Sequence, residues 1–474
     1  MDTRALGRNM RLSVAEGGLA TAMGSLFSGV FLTGFALALG ASRLQIGILF
    51  ALPALCGVAQ IAGSYWIERF GQCKRLCLTA ALLSRLLYLP VLLVPIFATH
   101  LSDEAKVWWI IGLMAASNIL GAMAGVAWLS WIKALIPANR IVPFFGERNL
   151  VNTGLSFVVC LLAGALVDAM SGGAAGQLPG FVAVFAIAMT CGLVGWVILA
   201  RISAAEPPPP TTAREPFAQM LAAPLREGNF RRVVWFYTTW NFAVNLAAPF
   251  YPVFFLQKLG LPLWYVMALS TLSSLMGLMA NNFWTRVAHR FGVKPVVFAA
   301  TLGEAFFPLW LIFIQAEWSW VLLLVHMTGI FNTPIAIGPD NFVLKLAPER
   351  NASSYMAVFR AFVGPATAIA AILGGWLAGS MGSASAGSAA LGGLTAVFVI
   401  SFLGRVASLG LLAGVLEPQA RTWGHIVTTV HRSRRFARLR LARERAPAPA
   451  PVLVPLPTPA LASEASPSLL ANAS

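Results

Sequence analysis

Along most of the chain, long apolar runs alternate with short polar stretches. A bilayer-spanning helix needs about 20 mostly apolar residues at 1.5 Å of rise each. Twelve stretches meet that demand: residues 16–40, 44–67, 76–98, 106–132, 148–170, 180–200, 232–256, 263–288, 295–316, 318–342, 354–380 and 391–416. The pattern predicts an all-α polytopic membrane protein with twelve transmembrane helices. Gly and Pro inside several runs fit this reading, because bilayer helices tolerate both better than soluble ones do. The polar stretch from Arg201 to Arg232 carries the run Pro207-Pro208-Pro209-Pro210, which cannot continue a helix. It divides the runs into six and six. The expected organisation is an N-terminal half over 1–200, a linker over 201–231, a C-terminal half over 232–418 and a tail over 419–474.

Composition agrees with the pattern. Apolar residues make up 58% of the 474 and charged residues 11%, with a mean hydropathy of +0.76. Water-soluble domains carry about 25% charge, so this chain lacks the polar surface to coat a globule. Its net charge of +16 would suggest nucleic acid if it lay on one folded face, but it is spread through short loops and one tail. Nearly all of the 33 Lys and Arg fall on the side of the N-terminus; loops on the other side hold Arg43, Lys106 and Lys258, and Arg85 and Arg405 lie inside spans. The positive-inside rule then predicts a multi-pass protein of the inner (plasma) membrane with both termini in the cytoplasm. The first apolar run, about 24 residues, is longer than a signal peptide core and should remain as a span. Cys56, Cys73, Cys77, Cys160 and Cys191 form no disulfide, zinc or redox pattern.

Two short patterns recur in register across the linker. Arg69-Phe70-Gly71 follows the second run of its half, and Arg290-Phe291-Gly292 follows the second run of the other. Pro137 then precedes Arg148 at the fifth run, as Pro348 precedes Arg360 at the eleventh. The chain reads as a duplicated six-helix unit. Twelve spans in two pseudo-symmetric halves, with a charged loop after the second span, resemble the major facilitator superfamily. Gly63, Glu68, Arg69, Gly71, Lys74 and Arg75 fit that family's loop motif when one extra residue is allowed on each side of the Glu-Arg-x-Gly core. The second half keeps Arg290, Gly292 and Lys294, with His289 where the acid would stand. The stretches "AWLSWIKALIP" and "FFGERN" resemble a bacterial branch whose members mostly have no assigned substrate; Ala134 and Ile141-Val142-Pro143 depart from its pattern.

The resemblance spans roughly residues 10–418. It implies secondary active transport of a small organic solute by alternating access, the halves rocking about a mid-membrane site. It also implies that Glu68 and Arg69 latch the cytoplasmic side while the outside is open; otherwise the loop charges only set topology. Independently of any family, Gly63 permits close backbone approach and Gly71 a tight turn.

Three charges lie within spans, where each costs several kcal/mol unless paired or hydrated: Arg85, Glu304 and Arg405. Glu304 and Arg405 are about 14 and 16 Å from the cytoplasmic ends of their spans at 1.5 Å per residue, and are expected to pair. Glu304 reads either as a structural pin or as a proton site. Arg85 has no evident acidic partner in its half and reads as solvated by carbonyls or as binding an anionic group. The resemblance implies that the first, fourth, seventh and tenth spans line the cavity. That places Trp128, Trp131, Trp240, Asn241, Asn245, His326 and Asn332 around the solute, with Ser117, Asn118 and Thr328 nearby. Amides and aromatics suit a neutral or amphipathic solute, although each Asn could equally join helices and His326 could be satisfied locally.

The coupling ion is open between protons and another ion. No nucleotide-binding loop, cofactor motif or metal-ligand cluster is present, so direct ATP drive is not expected. A membrane-embedded enzyme on lipid-linked substrates would need clustered His, Asp or Glu at one face, which five scattered His do not supply. A receptor or scaffold would act through the tail, whose basic stretch from His431 to Arg445 suits anionic lipid headgroups. Residues 446–474 are Pro-, Ala- and Ser-rich and expected to be disordered.

Overall fold

The computed structural model describes residues 3–417 apart from 99, 172–175, 205–223, 348–351 and 382–388. Most of the linker and the whole tail therefore lie outside the described residues. The described residues are nearly all helical and contain no strand.

Among the described residues, eleven helices are long and apolar enough to cross a bilayer. The twelfth crossing is the seventh in order. It begins as Gly228–Ala247, tightens to a 3-10 turn at Ala248–Phe250, resumes at Tyr251–Val253 and ends in a π turn at Phe254–Lys258. Pro249 and Pro252 account for the break, since each removes a backbone donor and crowds the turn before it. The tenth crossing is also interrupted, by a 3-10 stretch at Met327–Phe331. There Gly329 presses on the backbone of Ser273 in the eighth, so closely that a Cβ at Gly329 would strike the Ser273 carbonyl.

Two helices run past the apolar runs that mark them, 106–132 and 148–170: the fourth helix covers Asp103–Leu135 and the fifth Ala138–Ala169, 33 and 32 residues long. Pro143 sits close enough to the start of the fifth helix that the carbonyl it leaves unpaired is near the helix end and not in its middle.

Packing repeats between the halves. The first helix lies against the fifth and sixth, the second and third against the fourth; the seventh lies against the eleventh and twelfth, the eighth and ninth against the tenth. The chain is thus two pseudo-symmetric six-helix units. Their outer faces carry exposed Trp108, Trp109, Trp264, Trp310, Trp318 and Trp320 around one end of the bundle, the belt expected where a bilayer meets water.

The end where the first helix begins is called here the near face, and the opposite end the far face. The extensive contacts between halves all lie toward the far face. They pair the second helix with the eleventh and the fifth with the eighth, the same relation with the halves exchanged. A Cβ at Gly375 would sit 2.7 Å from the Arg43 carbonyl oxygen and 3.0 Å from Leu44 Cα; one at Gly164 would sit 2.9 Å from Trp264 Cα. Only glycine permits backbones that close.

Candidate functional site

The two recurring loops lie at the near face. Gly71 ends the second span with φ +68° and Gly292 ends the eighth with φ +100°, a region that side chains with a Cβ resist. Gly63 does what its position suggested, since a Cβ there would be 3.1 Å from Met123 Cα in the fourth helix. The lysine after each turn has the same task in both halves. Lys74 Nζ donates to the Ile202 carbonyl (2.6 Å), just past the end of the sixth helix. Lys294 Nζ donates to the Ala413 and Val415 carbonyls (2.8 and 2.7 Å) at the end of the twelfth. A cation at a helix C-terminus satisfies leftover carbonyls and complements the helix dipole.

The second half adds a brace that sequence reasoning missed. Glu417 accepts from the Val293 and Lys294 backbone N–H groups (3.1 and 2.7 Å) and from Lys345 Nζ (2.6 Å). It caps the start of the ninth helix from beyond the end of the twelfth. Burial alone would raise its pKa, but the bonds from Lys345, Lys294 and Val293 outweigh that and hold it below the usual carboxylate value. Arg69 is exposed and donates to Tyr65 Oη (2.9 Å); Arg75 reaches Gln72 Oε1 (3.4 Å); Arg290 lies over the Phe291 ring. The side chain of Glu68 lies outside the described residues.

Arg85, expected to lack an acidic partner, has one. Its Nη2 is 3.3 Å from Glu16 Oε1 on the first helix, and its Nη1 donates to the Gly192 carbonyl of the sixth (2.6 Å). Glu16 Oε2 meets Arg148 Nη2 of the fifth helix, also at 3.3 Å. Arg148 further donates to the backbone carbonyl and hydroxyl of Ser13 and stacks on Trp128 of the fourth helix, 4.3 Å from the ring centre. The longer first helix, which begins at Thr3, brings Glu16 inside the bundle. The signal that could have found it is Gly17 beside it, a bare spot on the helix against which the Arg148 guanidinium lies.

The second half holds a related arrangement with the arginine moved to the other helix of the pair. Arg405 of the twelfth helix donates to the Glu304 carbonyl of the ninth (2.8 Å) and to Tyr251 Oη in the broken seventh (2.9 Å). The Glu304 carboxylate faces it at 3.9 Å. The expected pair is present, but Arg405 spends its shorter bonds elsewhere, and Glu304 Oε2 is buried without a hydrogen-bond partner among the described residues. Trp240 is buried beside this group, its ring centre 5.6 Å from Arg405 Cζ.

The remaining cavity candidates separate into two sets. Trp131 is fully buried in the near-face core with Cys73, Cys77 and Phe144, and donates to the Ser203 carbonyl (3.0 Å). His326 is 5% exposed, lies between Phe255 and Phe307, and bonds the Leu322 carbonyl through Nδ1 (2.8 Å). Both are packing residues, because the neighbours that satisfy them also cover them. Ser117 is likewise spent on Ser84. Asn241 and Asn245 are only part-buried, and each donates its amide to the carbonyl four residues back (2.8 Å), leaving its Oδ1 to accept. Asn332 is exposed on the tenth helix and reaches Ser273 Oγ (3.3 Å). Trp128 stays partly exposed.

The described residues build a twelve-helix bundle of two six-helix halves whose extensive mutual contacts lie at one face. The model of the Major Facilitator Superfamily matches residues 241–437. Among solved structures, a variant of the nucleoside transporter NupG matches with TM-score 0.66 at 12% identity, covering 86% of this chain and 100% of that one. A bacterial homologue of the human lysosomal transporter Spinster, inward-facing and occupied, gives 0.61 at 12%, covering 89% and 98%. A D-xylose-proton symporter gives 0.60 at 16%, covering 88% and 99%. No curated protein matches the chain. The family model thus matches the second half of the chain by sequence, and the solved structures share the fold over both halves.

Proposed function

We propose that this protein is a secondary active transporter that moves a small organic solute across the inner membrane by alternating access, with both termini in the cytoplasm. The carrying observation is the far-face seal, in which the second helix meets the eleventh and the fifth meets the eighth through glycine contacts. A seal at one face, built from symmetry-related helix pairs, is one of the two states such a machine needs. The near face would then be the cytoplasmic one, and the loop of Glu68 and Arg69 would supply the opposing latch. Part-buried Asn241 and Asn245, with exposed Asn332, offer the solute amide groups. Glu304 supports coupling to protons, since its buried Oε2 lacks a partner and a neutral carboxyl suits such a place better than an ionised one. The nucleoside transporter and the xylose-proton symporter are similar in fold and support a small polar organic solute as the class.

The test is uptake by purified protein in proteoliposomes, with and without a pH gradient, over a panel of nucleosides, sugars, amino acids and organic acids. At least one solute should be taken up saturably, and Asn241→Ala should reduce that uptake about fivefold, the effect of losing one neutral hydrogen bond of about 1 kcal/mol. Folded protein that moves no member of the panel in either direction would contradict the reading.

A further inference from the structure

Among the described residues, the first half holds two buried arginines around one buried carboxylate. Glu16, 4% exposed, is shared between Arg85 and Arg148, each carboxylate oxygen meeting one guanidinium nitrogen at 3.3 Å. The other described acids of this half are committed or remote. Asp168 caps the eighth helix at the far face, Asp103 pairs with Lys106 there beside exposed Glu104, and Glu147 is exposed. A leftover charge in a low-dielectric place is costly until an opposite charge meets it. Of the two arginines, Arg148 is the one beside the helices expected to line the cavity. It bridges the first and fourth, and 12% of its side chain stays exposed.

Two further polar groups stand on this helix and the one beside it. Trp128, on whose ring Arg148 stacks, has a buried Nε1–H with no hydrogen-bond partner among the described residues. Asn152 stands one helical turn beyond Arg148 on the same face, and the buried end of its amide, Oδ1 as placed, also lacks a partner. Turning that amide by 180° presents Nδ2–H instead, an exchange that leaves its shape unchanged. A cation, an indole N–H and an amide N–H on adjoining helices are the donor set for an oxyanion. Gly17 keeps the first helix bare beneath the guanidinium, since a Cβ there would lie 2.5 Å from Arg148 Cζ.

We propose that Arg148, Trp128 and Asn152 form a subsite for an anionic group, a carboxylate or a phosphate, carried by the solute. This deepens the transport reading and rests on it. The neutral cavity amides would then hold the rest of the molecule.

The test follows tryptophan fluorescence of the purified protein during titration with inorganic phosphate, benzoate and glycerol phosphate, at ionic strength fixed with chloride. Benzamide and glycerol are the matched neutral probes. At least one anion should give a saturable change that its neutral counterpart does not. That change should vanish in Trp128→Phe, and the apparent Kd should rise about tenfold or more in Asn152→Leu; both variants leave the Arg148–Glu16 pair in place. Retention by phosphate alone would identify a phosphate subsite, and by benzoate alone a carboxylate one. Equal responses to charged and neutral probes, no response to any anion, or an anion response unchanged in both variants would overturn the subsite. Uptake of a neutral solute in the proteoliposome panel would then leave transport standing while the anion subsite falls.

Discussion

Glu417 is where three helices and the chain's exit from the bundle meet at the near face. Its carboxylate holds the start of the ninth helix and the lysine near the end of the tenth, from four residues beyond the twelfth. Because its folded pKa lies below the usual carboxylate value, the stability it contributes is present above about pH 4.5 and is lost as pH falls through the folded pKa. Glu417→Gln should therefore lower the thermal midpoint at pH 7 and flatten the fall in midpoint between about pH 5 and 3. Thermal unfolding of both proteins in detergent across that range checks this; parallel pH curves would contradict it. Residues of this kind were poorly legible in the sequence. The Glu304–Arg405 pairing could be read because both charges stood out in apolar runs. Glu16 could not, because it looked like the edge of a span until the first helix proved to start earlier. His326 and Trp131 stood out as polar or aromatic, yet whether such groups line a cavity or fill a core depends on neighbours from other helices.

At the scale of elements, the far-face seal uses helix ends. Asp168, near the end of the fifth helix, accepts from the Leu263 and Trp264 backbone N–H groups (3.0 and 2.7 Å) and so caps the eighth across the two halves. In the symmetry-related place the polarity is reversed: Arg43, opening the second helix, donates to the Ala378 carbonyl near the end of the eleventh (3.0 Å). Each contact complements a helix dipole with a charge from the other half, and each exists only while the far face is closed. Loss of a cap costs about 1 kcal/mol, which corresponds to about a fivefold shift between states. In protein freed of its natural cysteines, Asp168→Ala should therefore speed labelling of Met267→Cys, a buried far-face position, by a membrane-impermeant maleimide about fivefold. An unchanged rate would show that the cap does not bias the seal. The helices themselves were largely legible from apolar runs and punctuating prolines. The stretch before Arg148 was not, because its two prolines look like loop signals although they fall at and near a helix start.

For the whole molecule, the duplication is the economical explanation of where charge is spent. The Arg-Phe-Gly turn recurs because each half needs the same sharp exit from its second helix, and the lysine beyond it recurs because each half must cap its last helix. Those echoes were readable in the sequence, as was the six-plus-six plan; which face is sealed was not, since sealing depends on glycines whose partners lie a hundred or more residues away. The central claim is that the halves exchange this seal for one at the near face. It is tested most directly by electron–electron distance measurements in nanodiscs, with spin labels on exposed positions: Arg69 and Arg290 for the near face, Glu104 and Glu317 for the far face. Across pH 5 to 8, and with any solute the uptake panel identifies, the near-face distance should shorten as the far-face distance lengthens. Two single distances that stay fixed under every condition would contradict alternating access.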